Sequence, residues 1–139
     1  MTRRAQCCCG DCSISVEDEP VLNAICHCSS CKRRTGSAFG WSAYFPDDEV
    51  VETSGALNVY AKEGETGYKR YFCARCGTTL YWKSFAFLAD HTGIAGGCFV
   101  EDPLPAPPRV IELKVAFARL LRRSAGALLG FEQHDPLRP

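Results

Sequence analysis

The 139-residue sequence predicts one mainly β domain that holds metal ions through clustered cysteines. Three observations support this prediction. Short segments rich in aromatic and β-branched residues alternate with turn signals over the first two thirds of the chain, a pattern typical of antiparallel sheets. Ten residues are cysteine, and no linker or internal repeat divides the chain. We therefore expect a single zinc-binding domain over residues 1–139, with its core at about residues 5–115.

Turn-forming residues separate the predicted strands. Acidic and proline-containing turns follow the first and third strands, and glycines mark the turns around residues 54–55 and 63–64. In chain order, the predicted strands are Ser13–Val16, 21–26, 38–45, 57–61, 68–72, 78–83, 92–99 and 109–115. Residues 116–129 have apolar residues at helical spacing, weakened by Gly126, and predict a short C-terminal helix.

Charge and hydropathy exclude several classes of protein. The chain has 16 basic and 16 acidic side chains spread along its length, which argues against a nucleic-acid partner. No apolar run is long enough to span a membrane, and the polar N-terminus does not resemble a secretory signal. We therefore expect a cytoplasmic protein. In that reducing compartment, clustered cysteines are more typical of metal ligands or catalytic thiols than of disulfides.

Seven cysteines form three spaced groups: Cys7 and Cys9; Cys26, Cys28 and Cys31; Cys73 and Cys76. Cysteines two residues apart in an extended strand point to one face, so the first two groups each present a pair of thiolates. Gly77 directly follows the third group, as in tight turns that need a positive φ. Tetrahedral zinc requires sulfurs about 3.7 Å apart, which such pairs can reach.

Spacing alone does not determine which groups share an ion, but counting favours one arrangement. Two pairs fill four positions and close a structural zinc site, made of Cys7, Cys9, Cys73 and Cys76. The remaining group, Cys26, Cys28 and Cys31, leaves a fourth position open, which is typical of catalytic zinc. This interpretation gives two zinc ions per chain. The alternative is one zinc, with the middle group left as reduced core thiols.

Other residues near these groups have simpler interpretations. Cys12 forms a second CxxC with Cys9, but it shares a strand face with Ile14 and is expected to pack in the core. Cys8 and Cys98 are likewise expected to be reduced packing residues. By strand alternation, His27 is expected to point away from the zinc. Aromatic residues near the ligands, Phe39, Trp41, Tyr81 and Trp82, are expected to be core.

The cysteine segments resemble the glutathione-dependent formaldehyde-activating enzyme and centromere protein V family. The matching segments are CCCG at 7–10, CHCSSCKRR at 26–34 and FCARCGT at 72–78. The resemblance implies an Mss4-like β fold with two zinc sites, divided as the counting favours. It also implies a carbon–sulfur lyase that joins or splits S-hydroxymethylglutathione. The implied partners are a small-molecule thiol such as glutathione and an aldehyde.

The open zinc position suggests a mechanism. A thiol that coordinates zinc loses its proton and becomes a nucleophile toward an aldehyde carbon. Three thiolates on zinc leave a negative charge, so nearby cations are expected, and Arg33 and Arg34 are predicted to bind substrate carboxylates. A solvated basic turn is the alternative for these arginines. The competing function is a non-catalytic, zinc-stabilised protein-binding module, and an oligomer is compatible with either.

Overall fold

The computed structural model describes residues 1–65 and 67–111, and within them it confirms a mainly β architecture. The strands are β1 (Arg3–Gln6), β2 (Ser13–Val16), β3 (Leu22–Cys26), β4 (Gly40–Pro46), β5 (Val50–Ser54), β6 (Leu57–Lys62), β7 (Tyr68–Cys73), β8 (Thr79–Ser84), β9 (His91–Ala95) and β10 (Arg109–Ile111). One short helix, α1 (Ser29–Thr35), lies between β3 and β4. Two single turns of 3₁₀ helix cover Asp47–Glu49 and Gly96–Cys98.

The strands form two sheets that share one core. A three-stranded sheet has the order β1-β2-β5, and a seven-stranded sheet has the order β10-β3-β4-β9-β8-β7-β6. Ile14 from the small sheet and Phe45, Leu80 and Ile94 from the large sheet belong to one buried cluster and are fully inaccessible to solvent. Burying each such side chain stabilises the fold by roughly 1.5–3 kcal/mol. The core therefore lies where the two sheets pack together.

One strand pair departs from the antiparallel prediction. β10 runs parallel to β3, with Val110 opposite Ile25, whereas the other paired strands of the described residues are antiparallel. β9, the strand that precedes β10 in the chain, also runs parallel to β10, because β9 is antiparallel to β4 and β4 is antiparallel to β3, and residues 96–108 connect the two strands. A parallel pair requires such a long connection, because the chain must return to the end where the first strand started.

Two strands and the helix were not predicted. β1 reads as a polar segment, but Arg3 is buried and bonded to Glu19 at 2.7 Å and Asp102 at 3.1 Å. β5 follows an acidic turn and pairs with β2, so it depends on a partner far away in the chain. The segment 92–99 is a strand only to Ala95 and then turns. The predicted residues 112–115 of the last strand and the helix at 116–129 lie outside the described residues.

In the part of the chain that the structure describes, no helix has the length and apolar character needed to cross a membrane.

Candidate functional site

The first cysteine group brings together two segments that are far apart in the sequence. The Sγ atoms of its four members, Cys7, Cys9, Cys73 and Cys76, all lie within 4.8 Å of one another. The Cys7 and Cys9 sulfurs are 3.5 Å apart, and the Cys9 and Cys73 sulfurs are 3.7 Å apart. Tetrahedral zinc with four thiolates requires spacings of about 3.7 Å. The donor set therefore fits a closed zinc site between the β1–β2 and β7–β8 connections.

Two tight turns bring these sulfurs together. The Gly10 amide donates to the Cys7 carbonyl at 3.0 Å, and the Gly77 amide donates to the Cys73 carbonyl at 3.0 Å. Both glycines have positive φ, +82° and +74°, which other residues rarely adopt. The expectation that Cys7 and Cys9 share a strand face is wrong, because the chain turns after Gln6. They converge because the turn curls both side chains toward one point.

Hydrogen bonds lower the pKa of two of these four thiols, Cys73 and Cys76, whereas the pKa of Cys9 is raised to about 12. The Cys12 amide donates to the Cys7 sulfur at 3.2 Å. The Thr78 hydroxyl lies 3.2 Å from the Cys76 sulfur, and its hydrogen bond is the largest cause that lowers the pKa of Cys76 to about 5. A cysteine with that pKa is deprotonated at neutral pH, which is the state that binds metal.

The second cysteine group lies where β3 meets α1. Cys26 ends the strand, Cys28 caps the helix with extended backbone, and Cys31 lies in the first helical turn. Their Sγ atoms lie within 4.8 Å of one another, and the Cys31 amide donates to the Cys28 sulfur at 3.3 Å. Within the described residues, neither His27 nor Cys98 belongs to this group. Three thiolates suit a zinc ion with three protein ligands.

His27, which lies between two of these cysteines in the chain, contacts Phe39 and β10. Its ring centre lies 5.9 Å from that of Phe39, and its amide donates to the Ile111 carbonyl at 2.9 Å. That hydrogen bond continues the β3–β10 pairing beyond the last strand residue.

A cavity of about 370 Å³ opens beside the second group. Besides the three cysteines, its walls hold two cations and four aromatic rings: Arg34, Arg70, Tyr44, Tyr68, Trp82 and Phe87. Among the described residues, no aspartate or glutamate lines it. Cys7 and Cys9 of the first group line a different hollow, together with Cys8 and Cys98.

One row of residues across four strands forms a wall of the cavity. Arg70 on β7 lies opposite Trp82 on β8, which lies opposite Gly93 on β9, which lies opposite Tyr44 on β4. Directly opposed residues point to the same face of a sheet. Because Gly93 has no side chain, the Trp82 ring lies across it, and Trp82 Nε1 donates to the Tyr44 hydroxyl at 3.1 Å.

Arg34 covers the Trp82 ring from the helix. Its guanidinium lies 4.3 Å from the ring centre, as in a cation–π contact. Arg34 is one helical turn after Cys31, so both side chains share a helix face. A Cβ at Gly40 would come within 2.7 Å of Arg34 Nη2, so this glycine leaves the space that the guanidinium occupies. Nη2 is buried, with no acceptor at hydrogen-bond distance.

Arg33 does not share this environment. It is exposed and does not line the cavity.

The pKa of Arg34 is affected in two opposite ways. Burial lowers it, whereas the neighbouring Cys31 thiolate raises it, and the guanidinium stays charged because its ordinary pKa is so high.

Arg70 is the second cation and was not found by sequence reasoning. Its Nη2 donates to the Ser30 hydroxyl at 2.6 Å, and its guanidinium lies 4.2 Å from the Tyr68 ring centre. Tyr68 and Arg70 are two apart on β7, so both face the cavity. Only the register of β7 against β8 places them beside the cysteines.

The remaining cysteines divide by burial. Cys12 and Cys98 are buried in the core cluster, as expected. Cys8 is exposed, contrary to the expectation that it packs, because it lies at the tip of the first turn. Trp82 is buried as expected, but it is also a wall of the cavity.

Comparisons with known proteins identify related sequences. The family described as Glutathione-dependent formaldehyde-activating enzyme matches residues 2–113. Proteins of Fusarium vanettenii and Penicillium rubens, both named "Putative glutathione-dependent formaldehyde-activating enzyme", are 26% and 28% identical over 78 residues. These matches cover 56% of this chain, but only 42% and 41% of the relatives.

A solved structure shares the fold. The crystal structure of a Rhodobacter sphaeroides protein superimposes with a TM-score of 0.60 at 23% identity, over 77% of this chain and 98% of that chain. Because the family match covers most of the chain and includes both cysteine groups, the protein belongs to the glutathione-dependent formaldehyde-activating enzyme family.

Proposed function

We propose that this chain is a zinc-dependent carbon–sulfur lyase that joins and splits an adduct of a small-molecule thiol, such as glutathione, with an aldehyde such as formaldehyde. One observation carries the proposal. Three cysteine sulfurs that can hold a metal open onto a cavity with two arginines and, among the described residues, no carboxylate. The names of the relatives support the choice of thiol and aldehyde.

The two cysteine groups have different roles in this proposal. Cys7, Cys9, Cys73 and Cys76 hold a structural zinc, and Cys26, Cys28 and Cys31 hold a second one. Zinc at the second group would supply a Lewis acid that lowers the pKa of a coordinated thiol. The chain's own contribution is to fix the three sulfurs at the start of α1, where the backbone amide of Cys31 orients the Cys28 sulfur.

Arg34 and Arg70 bind the thiol substrate through its carboxylates. Three thiolates around one divalent cation leave a single negative charge, and two guanidiniums more than offset it. The cavity therefore suits an anionic ligand such as glutathione. Arg34 is held flat on Trp82 and lines the cavity, so its guanidinium is positioned to pair with a carboxylate there. Arg33 has no part, because it is exposed outside the cavity.

Tyr44 holds a proton near the aldehyde oxygen. Addition forms a carbon–sulfur bond, and the thiol's proton ends on the carbonyl oxygen. The Tyr44 hydroxyl accepts from Trp82 Nε1, which leaves its own hydrogen free to donate. Burial raises the pKa of Tyr44, so the hydroxyl keeps its proton at neutral pH.

The experiment measures exchange between free aldehyde and adduct by NMR, with glutathione, formaldehyde and zinc-loaded protein. We expect the protein to accelerate exchange, Cys31→Ser to abolish the acceleration, and Cys8→Ser to retain it, because Cys8 belongs to neither metal group. Native mass spectrometry should find two zinc ions in the wild type and one in Cys31→Ser. An unaccelerated reaction with two bound zinc ions would favour the non-catalytic binding module. A cytoplasmic location remains a prediction.

A further inference from the structure

The rings of Tyr44, Trp82 and Phe87 form an aromatic wall of the cavity, and the proposed function uses only the Tyr44 hydroxyl and the Trp82 face that Arg34 covers. Tyr44 makes edge-to-face contacts with Trp82, at 6.0 Å between ring centres, and with Phe87, at 5.5 Å. The rings thus form a continuous apolar surface from the buried Trp82 to the exposed Phe87. Such pairs present both ring faces and ring edges to a ligand.

Phe87 is held at the cavity although half of it is exposed to solvent. Its exposed fraction is 52%, and it lines the cavity. The Phe87 amide donates to the Ser84 hydroxyl at 3.1 Å, and Leu88, the next residue, has a φ of +50°. A positive φ is rare for leucine, so the surrounding structure fixes this segment against a local backbone preference. The result is an apolar ring placed where a ligand can cover it.

Formaldehyde makes little use of such a surface. Its adduct adds one carbon and a hydroxyl to the thiol, and neither gains much from aromatic contacts. The cavity volume of about 370 Å³ is within the range of sites that take larger ligands. An apolar substituent on the aldehyde would cover Phe87 and the edge of Tyr44.

We propose that this site takes adducts of aldehydes that carry an apolar group, aromatic above all, and that Phe87 and Tyr44 contact that group. The inference rests on the proposed function and names its substrate class. The chemistry needs no redox partner. The thiol sulfur bonds to the carbonyl carbon, the π electrons move to the oxygen, and that oxygen receives the thiol's proton; cleavage reverses each step.

Binding of stable thioethers tests the apolar contact without turnover. S-benzylglutathione and S-methylglutathione differ only in the group on sulfur, and calorimetry gives their Kd values. We expect the benzyl compound to bind wild-type protein about tenfold more tightly, which corresponds to one aromatic contact of this kind. Phe87→Ala should remove most of that preference. Phe85→Ala is the matched control, because Phe85 is similarly exposed but does not line the cavity. Equal binding of both compounds, or a preference that survives in Phe87→Ala, would overturn the inference.

Turnover separates this inference from the proposed function. With glutathione as the thiol, Phe87→Ala should lower the ratio of kcat/KM for phenylacetaldehyde to kcat/KM for formaldehyde about tenfold, and Phe85→Ala should leave that ratio unchanged. Turnover of formaldehyde without a Phe87-dependent gain for phenylacetaldehyde would refute the inference and leave the proposed function intact. A Phe87-dependent benzyl preference without turnover of any aldehyde would support the apolar site and refute the lyase function.

Discussion

Trp82 reaches across Gly93 to donate a hydrogen bond to Tyr44, with 3.1 Å between Nε1 and the hydroxyl oxygen. The same ring carries the Arg34 guanidinium on its face. A glycine in the middle of β9 thus determines where a cation from α1 and a hydroxyl from β4 lie. Such a glycine marks a close approach of neighbouring groups rather than a weak point of the strand.

Gly93→Ala should disturb both groups through Trp82. The added methyl would overlap the indole ring, so we expect a loss of roughly 1–3 kcal/mol in unfolding free energy. Weaker glutathione binding should accompany it. Denaturant unfolding and calorimetry measure the two effects. Gly97→Ala is the control, since a Cβ there meets no atom within 4 Å and φ is not positive. Equal losses of unfolding free energy and of glutathione affinity in the two variants would contradict the role of Trp82 in positioning Arg34 and Tyr44.

Arg34→Met should weaken glutathione binding more than Arg33→Met does. Methionine preserves much of the length of the side chain but removes the charge that faces the cavity. Loss of a charge-assisted hydrogen bond costs about 1.5–3 kcal/mol, so KM should rise at least tenfold. The exposed Arg33 should tolerate the same change, with KM within twofold. Steady-state kinetics over a range of glutathione concentrations distinguishes these outcomes.

Tyr44→Phe should lower kcat with little change in KM. The substitution keeps the ring that contacts Phe87 but removes the hydroxyl, and a positioned proton donor contributes about a hundredfold or more. Tyr81→Phe is the control, because Tyr81 stacks on Tyr71 and does not line the cavity. Equal kcat values for Tyr44→Phe and Tyr81→Phe would mean that another group donates the proton.

Cys73→Ser should destabilise the fold more than Cys31→Ser does. Cys73 belongs to the group that joins two connections about 64 residues apart, so losing the proposed zinc there would free a long-range crosslink. The second group joins only β3 to the helix that follows it. We expect the Cys73 variant to lose several kcal/mol of unfolding free energy. Calorimetry measures the unfolding free energy of both variants, and zinc analysis gives the number of ions bound per chain. A larger loss of stability in Cys31→Ser than in Cys73→Ser would contradict a structural role for the first group.

Arg3→Met should reduce the dependence of stability on pH in the acid range. Arg3 is bonded to Glu19 and Asp102, and its hydrogen bond is the main cause that lowers the pKa of Glu19. A carboxyl with a lowered folded-state pKa adds stability above its unfolded-state pKa. That contribution is lost as the pH falls through the folded-state value. The unfolding free energy should therefore fall more steeply between neutral and acid pH for wild type than for Arg3→Met. Arg4→Met, at an exposed neighbour, should match wild type.

The cysteine spacing within each segment could be interpreted because that information is local, whereas the combination of Cys7 and Cys9 with Cys73 and Cys76 came from counting ligands. Short spacings such as 26-28-31 limit where the sulfurs can lie, whatever the rest of the chain does. The burial of Cys12, the residue before β2, was likewise expected from its position two residues before the buried Ile14. Cys7 and Cys9 were expected to converge because they share a strand face, which is wrong because the chain turns there. Their sulfurs nevertheless lie close together.

The sequence by itself determined a mainly β chain, its cysteine groups and the family to which they belong. Only the tertiary structure decided what surrounds the second group. Arg70 and Tyr44 are 26 residues apart, yet strand pairing through Trp82 and Gly93 places them in one row. β1 and β5 likewise exist because β2 lies between them and provides their hydrogen bonds. Register between distant strands depends on packing of the whole core, which no short stretch of sequence specifies.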